Sequence, residues 1–302
     1  MKTSITAQLM NASLLNGKGS TRTREERHAT YTDFERFAKE RHWGQVTPAT
    51  LTLKQFRAYI ESLREREVSA RSLQNRAAHF RAALKGVGLA AKADSKEWSN
   101  ASLKIQSPPG ARTGKHEAVS DAHLRAAQSL AASAGDRGRE FQVLSELQRC
   151  LGLRMQEAVQ SGPSLVSWQR SLHEGRPLEV VAGTKGGRPR STFVPSTLLP
   201  RAREAVSAAL VLAADREAGR LVAAVSLQAA RDRYRHACAD FGLKGALASH
   251  GLRYAFAQDR YRAYRDDGMA KNDALRRLSL DLGHGDGRGR YVCMVYLRGV
   301  ER

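Results

Sequence analysis

Between Ser107 and His116 the chain reads S-P-P-G-A-R-T-G-K-H, and no other stretch limits its fold as strongly. Two prolines remove backbone donors and two glycines leave the backbone loose, so neither a helix nor a strand persists there. The 302 residues are therefore expected to form two modules, each long enough to bury a core. Residues 1–22 mix Asn, Ser, Thr, Gly and Lys without apolar periodicity and read as a flexible arm. Residues 23–106 read as a helical domain, 107–119 as a linker and 120–302 as a larger second domain.

Helical spacing organises the first domain. Thr23, with Glu26 three residues on, reads as a capping box ahead of Tyr31, Phe34, Phe37 and Ala38. Thr52 and Gln55 repeat that signature before Phe56, Tyr59, Ile60 and Leu63. Ser69 opens a third helix that ends near Gly86, and its polar face carries Arg71, Asn75, Arg76, Arg81 and Lys85. Those five are candidate phosphate contacts. In the second domain helical patterns cover about 120–133, 137–151, 154–160, most of 197–264, and 271–282. Residues 177–195 differ, with two β-prone runs around a Gly-Gly turn that read as a hairpin. The fold class is thus mainly α, with one small β-hairpin.

Charge points to a polyanionic partner. Fifty Lys and Arg stand against thirty Asp and Glu, a formal net charge of +20. Residues 1–120 hold 21 basic and 11 acidic side chains, and the remainder 29 and 19, so each part carries an excess of ten. A basic tail would concentrate the excess. Spread over both modules, it fits a protein that grips nucleic acid, gaining affinity from counterion release. Cys150, Cys238 and Cys293 are widely spaced and suggest neither a disulfide framework nor a zinc site. No apolar run approaches a membrane span, and the N-terminus lacks a signal-peptide core. A soluble, cytoplasmic protein is expected.

Six residues of the C-terminal half would suit chemistry on a phosphodiester without a metal: Arg154, Lys185, His250, Arg253, His284 and Tyr296. In L-G-L-R-M-Q-E-A, Arg154 follows a glycine turn and precedes Glu157 by three residues. The pair is either surface decoration or a carboxylate holding a phosphate-binding guanidinium. Lys185 occupies the tip of the hairpin in G-T-K-G-G-R-P-R, within reach of a DNA groove, and Arg188 and Arg190 follow it. In S-H-G-L-R-Y-A-F-A, His250 and Arg253 share one helix face at an N-terminus, where anions are favoured. His284 follows a helix ending in Leu-Gly, and a glycine-rich loop leads on to Tyr291 and Tyr296.

In their order and spacing these motifs resemble the tyrosine recombinase, or phage integrase, family, with the flavour of mobile-element integrases. L-G-L-R-M-Q-E, S-H-G-L-R-Y-A-F-A and L-G-H-G are jointly specific, and the resemblance spans essentially the whole chain. It implies that residues 23–106 form the core-binding, DNA-binding domain and 120–302 the catalytic domain. It also implies a site-specific DNA recombinase that cleaves and rejoins through a 3′-phosphotyrosine, with Tyr296 as nucleophile. Arg154, Arg253 and His284 would bind the non-bridging oxygens, Lys185 would protonate the leaving 5′-oxygen, and His250 would assist proton transfer from the phenol. Glu157 would buttress Arg154. No metal or other cofactor is implied. The implied partners are double-stranded DNA, clamped between the modules, and further copies of the chain, as a tetramer on two sites. Arg112 and Lys115 in the linker are further candidate DNA contacts.

One spacing departs from the family pattern. There the tyrosine follows the L-G-H histidine by about nine residues, whereas here Tyr291 follows by seven and Tyr296 by twelve. Tyr296 is preferred because V-Y-L resembles the nucleophile context and G-D-G-R-G reads as an insertion; Tyr291 is the alternative nucleophile. Two other functions suit the same residues: a type IB-like topoisomerase, and a DNA-binding protein of this fold without the reaction.

Overall fold

The computed structural model describes residues 3–17, 19–106 and 116–300, and the chain divides into two compact units, Met1–Ala111 and Arg112–Arg302. The first unit is all helical: α1 (Ile5–Leu15), α2 (Thr21–Glu40), α3 (Leu53–Glu65), α4 (Ala70–Gly86) and α5 (Ala90–Asp94). Its core is aromatic. Tyr31, Phe34, Phe56, Tyr59, Phe80 and Trp98 are all buried and meet edge-on or stacked, with Phe56 and Trp98 parallel at 5.0 Å. The Thr52–Gln55 capping box forms as expected, and Ser69 caps α4. The one at Thr23 does not: Ser20 is the cap, its hydroxyl accepting from the Thr23 amide, so α2 begins earlier.

The expected flexible arm is corrected by α1. Ile5, Leu9 and Ala12 recur at helical spacing and are buried, an apolar stripe hidden among polar residues. Glu35 accepts from both the amide and hydroxyl of Thr6, at 3.0 and 2.6 Å, and tethers the helix to α2. Gly86 lets α1 lie against the end of α4, since a Cβ there would stand 1.7 Å from the Ala12 carbonyl oxygen.

The second unit comprises α6 (Asp121–Ala131), α7 (Gly135–Leu151), α8 (Met155–Val159), α9 (Leu165–His173), β1 (Leu178–Val180), β2 (Arg190–Thr192), α10 (Leu199–Ala214), α11 (Leu227–Asp240), α12 (His250–Asp266), α13 (Lys271–Asp281) and α14 (Gly289–Tyr296). The strands are antiparallel, with Leu178 opposite Thr192 and Val180 opposite Arg190. They supply the expected hairpin. Phe141, Leu144, Leu147 and Leu151 of α7 are fully buried at the centre of the larger core, and α14 packs on α12 and α13 in a second apolar cluster. Residues 117–119, expected to be linker, belong to this unit. The Glu117 and Val119 amides donate to the carbonyls of Ala246 and Gly251, and Val119 is buried. Most of the expected linker, with Arg112 and Lys115, lies outside the described residues. No described helix is long and apolar enough to cross a membrane.

Candidate active site

Two glycine turns build the floor of the site. Helix α7 ends at Gly152 with φ +60°, and α13 is followed by Gly283 with φ +61°. This left-handed conformation costs glycine little, and it turns the last carbonyls of each helix away from the helix axis. Those carbonyls are taken by arginines. Leu282 O accepts from Arg154, at 3.0 Å, and from Arg253, while Gly152 O accepts from Arg253 and, at 3.2 Å, from Arg190. Asp281 O accepts from Arg190 at 2.6 Å.

Glu157 stands among the three guanidinium groups with its side chain fully buried. Its carboxylate accepts from the Arg154 side chain at 2.5 Å, the Arg154 amide at 2.8 Å and Arg190 at 2.8 Å, and Arg253 stands 3.7 Å away. Burial alone would raise its pKa, but Arg190, Arg253 and Arg154 outweigh that and hold it down to about 2. Three cations against one carboxylate leave an excess of positive charge, which suits a phosphodiester. Arg253 is fully buried and pushed down to about 10 by desolvation, so it is cationic at neutral pH. Arg154 keeps a fifth of its side chain exposed.

Tyr296 ends α14, and its hydroxyl lies 3.1 Å from His284 Nε2. His250, at the start of α12, faces the same phenol with ring centroids 6.1 Å apart, and Tyr254 packs on it at 4.6 Å. Desolvation, then the charges of Arg253, Arg154 and Lys185, pushes His284 down to about 3. Desolvation, then Arg253, His116 and Arg154, does the same to His250. Both imidazoles are therefore neutral at neutral pH, and either can accept a proton. Lys185 is exposed in the turn between β1 and β2, which Gly186 and Gly187 close at positive φ. Tyr291, the alternative nucleophile, is 39% exposed, and its ring meets that of His284 in a T-shaped contact at 5.1 Å.

The structure thus brings Arg154, Glu157, His250, Arg253, His284 and Tyr296 together, with Lys185 close enough for its charge to reach His284. It differs from expectation on proton transfer, since His284 and not His250 is in hydrogen-bond reach of the phenol. Among the candidate DNA contacts, Arg190 is corrected, and three others have partners within the protein. Arg190 is buried and holds Glu157 and two carbonyls, because β2 turns it inward opposite Val180. Arg76 binds Asp33 and the Tyr59 hydroxyl, at 2.5 and 2.6 Å, and Arg81 binds Trp98 O and the Asn100 side chain. Lys85 pairs with Asp94 at 2.7 Å. These long side chains fold back over α2 and the end of the unit. Arg71, Asn75 and Arg188 are exposed. Sequence reasoning missed His116, whose ring meets His250 edge-on at 5.5 Å; nothing local marks a residue that arrives from the end of a linker. Among the described residues no cluster of His, Cys, Asp or Glu is arranged to hold a metal.

Residues 109–259 match the family model described as Integrase, and residues 3–93 match the one described as phage integrase, N-terminal. A search of curated proteins found no match. Among solved structures, the Tn1549 transposon integrase, as a tyrosine-to-phenylalanine variant in complex with transposon right end DNA, superposes with a TM-score of 0.59 at 11% identity. That match covers 97% of this chain and 94% of the other. XerA recombinase matches at 15% identity over 95% and 92% of the two chains, with a TM-score of 0.37.

Proposed function

The chain belongs to the integrase family and is a site-specific tyrosine recombinase, and on that premise we propose that Tyr296 is the nucleophile that cleaves DNA. The observation that carries this reading is the 3.1 Å separation between the phenol oxygen and His284 Nε2, beside the Arg154–Arg253 pair. The phenol oxygen attacks phosphorus as its proton passes to His284, and the bond from phosphorus to the 5′-oxygen breaks. Lys185 gives that oxygen a proton, so a 5′-hydroxyl leaves and a 3′-phosphotyrosine remains. The covalent link conserves the energy of the broken bond, and rejoining runs the same steps backwards.

Arg154 and Arg253 bind the non-bridging oxygens and stabilise the added charge of the pentacoordinate state. A preorganised donor of this kind contributes about 3 kcal/mol. Glu157 keeps the Arg154 guanidinium oriented, the Gly152 and Leu282 carbonyls hold that of Arg253, and His250 lines the phenol from its other side. Both units contact the duplex, the first through the exposed face of α4 at Arg71 and Asn75. Assembly as a homotetramer on two DNA sites, in the cytoplasm, belongs to the same proposal.

A nicked suicide duplex tests it. The chain should form a covalent adduct that survives denaturation, and none at all would leave only a DNA-binding protein of this fold. Relaxation of arbitrary supercoiled plasmids without a specific site would favour a type IB-like topoisomerase instead.

A further inference from the structure

We propose that Arg190 is a positioning residue of the cleavage site, a buried guanidinium that sets the two arginines binding the phosphate; this rests on the reading of Tyr296, Arg154 and Arg253 above. The side chain is only 3% exposed, so it does not meet DNA. Two of its three hydrogen bonds go to groups that also hold another site residue, and the third goes to the neighbour of such a group. Gly152 O is shared with Arg253, Glu157 is shared with Arg154, and Asp281 O adjoins the Leu282 carbonyl that receives both Arg154 and Arg253. Arg190 thereby ties the turn after α7 to the turn after α13, and these are the two turns from which the phosphate-binding arginines hang.

A second consequence concerns charge. Glu157 Oε2 already accepts from the Arg154 amide and Arg190, and Arg253 stands off at 3.7 Å. Without Arg190, Arg253 is free to close on that oxygen and be neutralised by it. Arg190 keeps Arg253 directed to the carbonyls, with its charge available to a phosphate. Packing makes the placement specific. Gly283 admits the arginine stem, because a Cβ there would lie 2.7 Å from Arg190 Cδ. Lysine keeps the charge but presents one nitrogen, so it cannot bridge three acceptors in the plane of a guanidinium.

The test uses the full chain and a nicked suicide duplex selected for adduct formation by the unaltered protein, prepared with either a phosphodiester or a methylphosphonate at the cleaved bond. Methylphosphonate lacks the charged non-bridging oxygen that Arg154 and Arg253 serve. Arg190→Lys should slow adduct formation on the phosphodiester about 10- to 100-fold, the usual effect of losing a partner that orients a working group. DNA affinity and the circular dichroism spectrum should stay unchanged. On methylphosphonate the loss should be much smaller, as for Arg154→Ala. An unaltered rate on the phosphodiester overturns the proposal. So does an equal loss on both substrates, or a lysine variant that does not fold, since each means a general structural role. If Tyr296→Phe still forms the adduct, the underlying reading has failed; if it does not, and Arg190→Lys is fully active, only this proposal has.

Discussion

His284 Nε2 lies 3.1 Å from the Tyr296 hydroxyl, whereas Tyr291 meets the same imidazole ring to ring, with centroids 5.1 Å apart. Hydrogen-bond reach, not sequence spacing, is the ground on which Tyr296 is proposed over Tyr291. Tyr296→Phe should abolish covalent capture of DNA and leave binding intact, read as the adduct band on a denaturing gel against a gel-shift control. Tyr291→Phe should still form the adduct. The opposite pattern would assign the nucleophile to Tyr291.

Lys185 is exposed on the hairpin turn, so replacing it should not disturb the core. Lys185→Ala is expected to keep its fold and its DNA affinity while cleaving about 10²- to 10⁴-fold more slowly, the range for losing a general acid. Sulfur at the 5′-bridging position leaves without needing a proton. A substrate with that substitution should restore most of the rate; if the variant stays slow on it, lysine has another role.

How much of this was legible beforehand differs from residue to residue. Helix α3 was, because Thr52 and Gln55 form a local cap and its apolar stripe is strong. Helix α1 was not, since its stripe is three residues wide and its stability comes from α4 and Glu35, far along the chain. Motif order singled out Arg154, His250, Arg253, His284 and Tyr296, whose setting in the sequence is distinctive and which the fold brings together. Arg190 looked like one more cation in a basic turn. The pleat of β2 decides that it points inward, and pairing with Val180 sets that pleat. Likewise Arg76 and Arg81 stand on the same helix as Arg71, and only tertiary partners separate braces from exposed residues.

Glu157→Gln removes the one carboxylate among three guanidinium groups. Glutamine can accept some of the hydrogen bonds, but it leaves buried cations uncompensated. Breaking a buried pair in this way costs about 3–5 kcal/mol, which should appear as a lower midpoint in denaturant unfolding of the second unit. Adduct formation should fall as well, because Arg154 loses its 2.5 Å partner. A variant as stable as the parent would mean that the carbonyls of Gly152, Asp281 and Leu282 suffice to hold the arginines.

Acid should destabilise the second unit in two stages. His250 and His284 are each held down to about 3 from an ordinary 6.5, chiefly by burial and secondarily by neighbouring cations. Between those values the unfolded chain binds protons that the folded chain refuses, so stability falls as pH drops below about 6.5. Glu157, held down to about 2 from 4.5 by its arginines, has the same sign and adds to the loss below about 4.5. Asp281 opposes this, since burial raises its pKa and favours the folded state as it protonates. Urea unfolding at pH 7.5, 5.5 and 4 should therefore show a declining midpoint, steeper over the lower interval. Bound DNA should flatten the first stage, because a phosphate beside the imidazoles favours their charged forms and raises both pKa values. A midpoint that holds from pH 7.5 to 5.5 without DNA would mean that the two imidazoles accept protons freely in the folded state.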